Sequence, residues 1–504
     1  MKHKSLRQSA ALVLVLLLAL SCFPILGQAQ TELKTLKYVT VDWGTSSPDQ
    51  QKVIDAVNKK LLADGMDFQL EMTGLPFDSW EQKTNLMLAT NEPFDLMLVM
   101  NDVIPFSSYL ARGAAAPITK YLDEYGPNLK KMINESSWAA VTKDGEVYGI
   151  PGNGVPIVCV NEWMTFRKDW MDKYFGKTPE TTQELIDSAQ AIQDANPDAL
   201  AWPKVAVPNS YLHRDYDTYP FTVVDELFHV DQQGNVKAWV DTDEFRKDCE
   251  LQNALMEKAL ISPDILTLDP SLFRDYVTGA APGGFSWTGD ISIWDNAEFL
   301  KNVPEGELSV GLLRPEKPHL DEIGTLHVQM VPSTSQHPEL AVRFLDWLYS
   351  AQENHDLLVW GIEGEHWEKS DKVLTYNGIE RPVIKVLTGE DGTCPYVSGG
   401  MWMLGNMNFK SYTDTDSPYS IAIDTLSGDV VPSVTIGFVF DSSSVSAEYL
   451  NLLAEVKASI YPLRTGVVPY SEGFESMRAK LSAAGLDKVV AEYQRQLTEF
   501  LAKK

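Results

Sequence analysis

Three strand patterns in the first hundred residues, each parted from the next by a helical pattern, constrain this chain more than any other feature. Residues 36–41 alternate and read as a first strand. Ser46, Ser47, Pro48 and Asp49 then open a helix with Val53, Ile54, Val57, Leu61 and Leu62 on one face. Residues 68–72 read as a second strand, a helix follows around Trp80 to Leu88, and residues 94–99 read as a third. This alternation predicts a mostly parallel α/β sheet. Ligands of such sheets meet the loops beyond the carboxyl ends of the strands. Asp42 and Trp43 follow the first strand, and Asn101 and Asp102 follow the third. Taken singly, each reads better as a solvated turn or cap residue; taken together they mark candidate ligand positions.

Residues 148–170 look like a passage between two lobes. Gly149, Pro151, Gly152, Asn153, Gly154 and Pro156 bend the chain, Ile157, Val158 and Val160 read as a buried strand, and Arg167, Lys168, Asp169 and Trp170 lead into a helix. An ordinary loop, strand and helix inside one domain fits the pattern equally well, but the same features recur twice. Residues 277–294 carry four glycines around Phe285, Trp287 and Trp294, and residues 327–338 run from a strand through Pro332 into a helix. Glycines also frame aromatics at Trp360, Gly361, Glu363 and Trp367, and again at Gly400, Trp402 and Gly405. At the end of the chain Leu450, Leu453, Val456 and Ile460 share a helical face. Gly485 breaks the pattern before a second stripe of Leu486, Val489, Val490, Tyr493, Leu497, Phe500 and Leu501.

The chain has 504 residues and is 44% apolar, more than one compact core usually holds, so two lobes are expected. Its net charge of −28 argues against a nucleic-acid partner, which needs clustered Lys and Arg. Lys2, Lys4 and Arg7 precede an apolar run from Ala10 to Leu20, and Gly27, Gln28 and Ala29 offer a small-residue cleavage site, so residues 1–29 read as an export signal. Ala19, Leu20, Ser21 and Cys22 offer a second site resembling a bacterial lipobox, with Ala and Leu where Leu and a smaller residue are preferred. Cleavage after Ala29 and lipidation at Cys22 both stand, and a membrane tether follows only if Cys22 is acylated. Beyond it, Cys159, Cys249 and Cys394 make no disulfide framework.

No phosphate-binding loop, dinucleotide fingerprint, HExxH, paired CxxC or calcium-loop pattern is present, so no cofactor and no metal is expected. Gly284, Phe285, Ser286, Trp287 and Thr288 lack the second glycine of a nucleophile elbow. No two carboxylates stand out as a glycosidase pair.

The basic and apolar N-terminus, the Tyr148–Gly149–Ile150–Pro151 passage, the Arg167–Lys168–Asp169–Trp170 entry and the helix starting at Pro338 together resemble the family 1 extracellular solute-binding proteins of bacterial ABC importers. The Trp360 to Trp367 motif, followed by Gly405 and Asn406, resembles a lipoprotein subgroup thought to import complex saccharides, and residues 440–504 resemble that subgroup's C-terminal domain of unknown function. The resemblance implies a periplasmic-binding-protein-like α/β fold, two lobes with the ligand cleft between them and extra C-terminal helices. It places 34–152 with 280–334 in the first lobe, and 153–279 with 335–439 in the second, with 440–504 as its helical end. It further implies a non-enzymatic, monomeric protein that delivers an oligosaccharide to membrane permease subunits. A secreted carbohydrate-active hydrolase is the alternative. Aromatic faces cover the apolar faces of sugars, while acids and amides bond their hydroxyls. The expected cleft residues are therefore Asp42, Trp43, Asn101, Asp102, Asn153, Arg167, Trp287, Trp360, Glu363 and Trp402.

Overall fold

The computed structural model describes residues 33–42, 47–101, 103–152, 162–199, 210–267, 275, 279–280, 287–288, 296–322, 324–376, 379–389, 392–396, 406–413 and 429–503. The first lobe is built on a five-stranded sheet in the order Phe68–Pro76, Lys34–Asp42, Leu96–Met100, His327–Met330, Gly149–Pro151. The first three strands are parallel, as the strand–helix alternation predicts. His327–Met330 runs antiparallel between its two neighbours. Leu96–Met100 is buried at every position, as befits a strand covered on both faces. The Gln50–Ala63 helix buries Val53, Ile54, Val57 and Leu61. Leu62, expected on that face, is exposed.

The second lobe has two cores. One surrounds the antiparallel sheet of Trp287–Thr288, Trp163–Arg167 and Leu308–Leu312, with Trp163–Arg167 in the centre. Met164 and Phe166 pack there with Met171, Leu185 and Ile192. The other joins the strands Phe221–Val224, Phe228–Asp231 and Val236–Ala238 to the helices Asp243–Glu257, Ser446–Glu455, Tyr470–Ala484 and Leu486–Leu501. Phe228, Trp239, Phe245, Leu452, Tyr493 and Leu497 share it. The C-terminal helices are thus continuous with the second lobe. Gly485 ends one of them at φ 99°, a left-handed cap that a side chain would strain. Leu450 is 63% exposed, against the expected stripe. Val456 and Ile460 face inward as expected, Leu453 is half-buried, and Leu452 takes the buried place that Leu450 was expected to hold.

The packing moves the lobe boundaries from those expected. Residues 287–288 and 296–313 lie with the second lobe, because Trp287–Thr288 and Leu308–Leu312 pair with Trp163–Arg167 and Leu313 enters that core. The helices Pro338–Leu348 and Gln352–Val359 lie with the first, because Leu340, Phe344, Leu345, Trp347 and Leu358 fill its core. The return passage therefore falls between Leu320 and His327; most of the expected crossing at 277–294 lies outside the described residues, and its Trp287–Thr288 pairs within the second lobe. Residues 327–338 stay within the first lobe. A further passage, absent from the sequence reading, runs through Val430–Pro432, which pairs in parallel with His319–Asp321. A Gly- and aromatic-rich loop has the same composition whether it joins two strands of one sheet or two lobes.

Polar side chains tie these passages together. The Asp321 carboxylate accepts from Ser136 Oγ of the first lobe at 2.9 Å and from the Gly324 amide at 2.7 Å. The Asp321 carbonyl accepts the Ser433 amide at 2.7 Å. Glu162, at the entry to the second lobe, is buried and bonded to Arg214, Tyr219, His319 and the Leu320 amide. A buried carboxylate is tolerable only with such a complement of donors.

Candidate functional site

Between the lobes lies a hollow of about 420 Å³. Asn101, Pro105, Phe106, Leu110 and Ala140 border it from the first lobe, Val224, Asp225, Phe438 and Tyr493 from the second, and Glu322 lies on the passage between them. Asn101 begins its first-lobe wall just beyond the carboxyl end of Leu96–Met100, where a parallel sheet places ligands.

Asn101 itself is committed to the local fold. Its Nδ2 donates to the Thr325 carbonyl at 2.7 Å, and its Oδ1 accepts the Phe106 amide at 2.7 Å, holding the start of the Phe106–Ala111 helix. Asp42 ends its strand exposed, opposite Pro76 in register. Gly74 leaves room for it, since a Cβ there would lie 3.1 Å from Asp42 Cβ. Next along the edge strand, Phe77 is 42% exposed. The sequence reading ended that strand at Met72; it runs on to Pro76 and carries Phe77 to the same end of the sheet as Asp42. Asp225, Glu322 and Tyr493 were also missed, since nothing in their local pattern marks them as neighbours of Asn101.

Arg167 departs from expectation. It is 5% exposed, bonded to Asp169 at 2.8 and 2.5 Å, and its guanidinium lies over Trp170 at 4.2 Å and Phe299 at 5.3 Å. Its guanidinium is held by a carboxylate and two rings inside the second lobe, so it drops out of the candidate set. Trp43, Asp102, Asn153 and Trp402 lie outside the described residues, and of Trp287 only the backbone is described, paired with Phe166.

The Trp360 to Trp367 motif folds into a latch on the first lobe. Gly361 turns at φ 87°, and any Cβ there would meet His366 Nδ1 at 2.6 Å. That nitrogen accepts the Ile362 amide at 2.8 Å, so Nε2 carries the ring proton and donates to Asp49 Oδ2 at 3.1 Å. The bond to His366 holds the Asp49 carboxyl below the usual carboxylate range. Trp367 Nε1 donates to the Gly361 carbonyl at 2.9 Å, and Lys52 pairs with Glu365. Glu363 is exposed, 3.5 Å from Lys369. The half-buried Trp360 has an indole Nε1 with no hydrogen-bond partner among the described residues. Asp49 begins the helix that follows the Asp42 loop, so the latch sits at the ligand end of the sheet. Among the described residues no three His, Cys, Asp or Glu gather as metal ligands, and no helix is long and apolar enough to cross a membrane.

The family model of the bacterial extracellular solute-binding protein matches residues 45–355, and that of a domain of unknown function (DUF3502) matches residues 434–502. A Streptococcus pneumoniae protein described as a carbohydrate ABC transporter substrate-binding protein is 23% identical over 481 residues, 91% of this chain and 89% of the relative. The fructooligosaccharide ABC transporter substrate-binding protein FusA of the same organism is 24% identical over 369 residues, 66% of this chain and 64% of FusA. The crystal structure of the N-glycan transport solute binding protein NgtS, also from Streptococcus pneumoniae, superposes with a TM-score of 0.73 at 18% identity, covering 94% of this chain and 100% of NgtS. These likenesses agree on a two-lobed fold that ends in the helical C-terminal region, and with the family model matching more than half of its length, the chain belongs to the bacterial extracellular solute-binding proteins.

Proposed function

We propose that this protein captures an oligosaccharide between its lobes and delivers it to the permease subunits of an ABC importer. The observation that carries the reading is the interlobe hollow, which opens at the carboxyl end of a parallel sheet and draws walls from both lobes. A hollow of a few hundred Å³ with mixed aromatic and acidic walls suits a neutral polyol with apolar faces. Phe438 supplies aromatic surface, backed by the buried rings of Phe106 and Tyr493, and Asp225 and Glu322 supply acceptors. Asp42 and Phe77 extend the same rim, and Trp360 offers an indole donor. Trp43, Asp102, Asn153, Trp287, Glu363 and Trp402 are proposed to complete it. The carbohydrate-related names of the aligned relatives favour the same class of ligand.

The protein is further proposed to act as an exported monomer, tethered to the membrane if Cys22 is acylated. Intact mass after secretion checks this: loss of residues 1–29 and a diacylglycerol adduct on Cys22 are the two expected forms. The test of function is calorimetric titration with an oligosaccharide panel, followed by chromatography of the recovered sugar. Saturable binding with the sugar returned intact is the expected result. Hydrolysed sugar would replace the reading with a carbohydrate-active hydrolase, and no binding to any member would remove it.

A further inference from the structure

We propose that the C-terminal helices brace one wall of the interlobe hollow, with Tyr449 and Arg464 as positioning residues that act through the turn at Asp225 and Glu226. The proposal rests on the reading of that hollow as the oligosaccharide site. The turn closes with the Leu227 amide donating to the Val224 carbonyl at 3.0 Å. Both central residues are left-handed, Asp225 at φ 55° and Glu226 at φ 56°. Such turns favour Asn and Gly, and two consecutive acids resist the conformation sterically and repel each other. Something must hold them there.

The holding groups come from the C-terminal region. Tyr449 Oη donates to Asp225 Oδ2 at 2.6 Å. Arg464, fully buried, donates from Nε to Glu226 Oε2 at 3.0 Å and is anchored on its other side by Asp248. Tyr449 is itself fixed edge-on against Phe440 at 5.5 Å, and Phe440 packs on Tyr493 at 5.1 Å. Tyr493, Phe438 and Asp225 all border the hollow. One packed aromatic cluster therefore sets both the wall and the turn that projects from it. Burial and the Asp225 charge raise the Tyr449 phenol well above its ordinary value, so it remains a donor at any physiological pH.

Tyr449→Phe keeps the ring and deletes the donor. Amide exchange of residues 221–231 in the ligand-free full chain is the first readout and calorimetric affinity for the oligosaccharide panel is the second. The variant is expected to melt close to wild type, to exchange faster in the hairpin, and to bind roughly threefold to tenfold more weakly. In an Asp225→Ala background, Tyr449→Phe is expected to cause no further loss, because its effect runs through that carboxylate. Glu226→Gln tests the Arg464 arm with the same readouts. Unchanged hairpin exchange, or an equal affinity loss with and without Asp225, would overturn the brace. Were the wild type to bind no saccharide, the ligand assignment would fall while the exchange comparison still decided whether the C-terminal helices hold the turn.

Discussion

Arg167 and Phe77 exchange places between sequence and structure, the first through side-chain direction and the second through the length of a strand. A strand-end arginine beside Asp169 and Trp170 looks available to a ligand, but its strand is the centre of a three-stranded sheet and its guanidinium folds back onto those two neighbours. Arg167→Ala should therefore cost stability, about 1–3 kcal/mol given that Asp169 is partly solvated, and leave affinity for neutral and acidic saccharides alike unchanged. Melting temperature and parallel titrations check this; a loss confined to uronic acids would return Arg167 to the site. Phe77→Ala should do the opposite. The ring is 42% exposed at the end of the edge strand, farthest from the passages between the lobes. Its loss should leave melting nearly unchanged and weaken saccharide binding by about 1–2 kcal/mol, roughly fivefold to thirtyfold. Because strands stand about 4.8 Å apart, the end of the edge strand lies about 10 Å from that of Leu96–Met100, so the penalty should grow with ligand length. A uniform penalty for short and long ligands would place Phe77 nearer the hollow than the sheet order implies.

At the scale of elements, long helices such as Gln50–Ala63 and Leu486–Leu501 were legible because their buried faces repeat with a fixed period, whereas the short helices between Phe106 and Ala140 carry too few turns to show one. The latch at residues 360–367 was not legible either. Its glycines and tryptophans suggested ligand contact, whereas the glycine at 361 is there because a side chain would strike His366. Gly361→Ala should destabilise by more than about 1 kcal/mol, since φ 87° is disfavoured for alanine and the contact cannot relax cheaply. Denaturant midpoints measure this. Buried histidines make two other elements sensitive to acid. His327, in the middle of the first-lobe sheet, is pushed down to about 3 by burial. His229, on the Phe228–Asp231 strand, is lowered for the same reason, and neither of its ring nitrogens has a partner among the described residues. Glu244 and Asp231 oppose that shift on His229, while Lys237 and His213 reinforce it. Unfolding frees each ring to take a proton below pH 6.5, so the unfolded chain binds more protons there. Stability should fall as pH drops from about 6.5 toward 3, with a limiting slope of roughly 1.4 kcal/mol per pH unit for each histidine. His229→Phe, which removes two unpartnered nitrogens and keeps a ring against Trp239, should flatten that slope. An unchanged slope would assign the acid sensitivity elsewhere.

For the whole molecule, a two-lobed α/β chain with a helical C-terminus was legible, but the allocation of segments to lobes was not. Pro338–Leu348 carries an apolar stripe that any core could bury, and its assignment to the first lobe follows only from contacts hundreds of residues apart, such as Asp346 with the Asn128 and Leu129 amides. Those contacts also locate the joint. His319–Asp321 and Val430–Pro432 run side by side, and Glu162 bonds the entry to the second lobe onto His319 and Leu320, so the passages are tied into one bundle. Lobes joined this way can rotate about the bundle, and a ligand closes them only to the extent that it binds the closed form better. Moving from about one closed molecule in a hundred to ninety-nine takes roughly 10⁴-fold tighter binding to the closed form. Small-angle scattering at saturating oligosaccharide should therefore show a more compact particle. Ser136→Ala, which removes the first-lobe hydroxyl from Asp321, should change the ligand-free dimensions more than the ligand-bound ones, because sugar contacts across the hollow then replace the lost restraint. Identical dimensions with and without a bound sugar would instead describe a preformed cleft, and affinity would then depend on the walls alone.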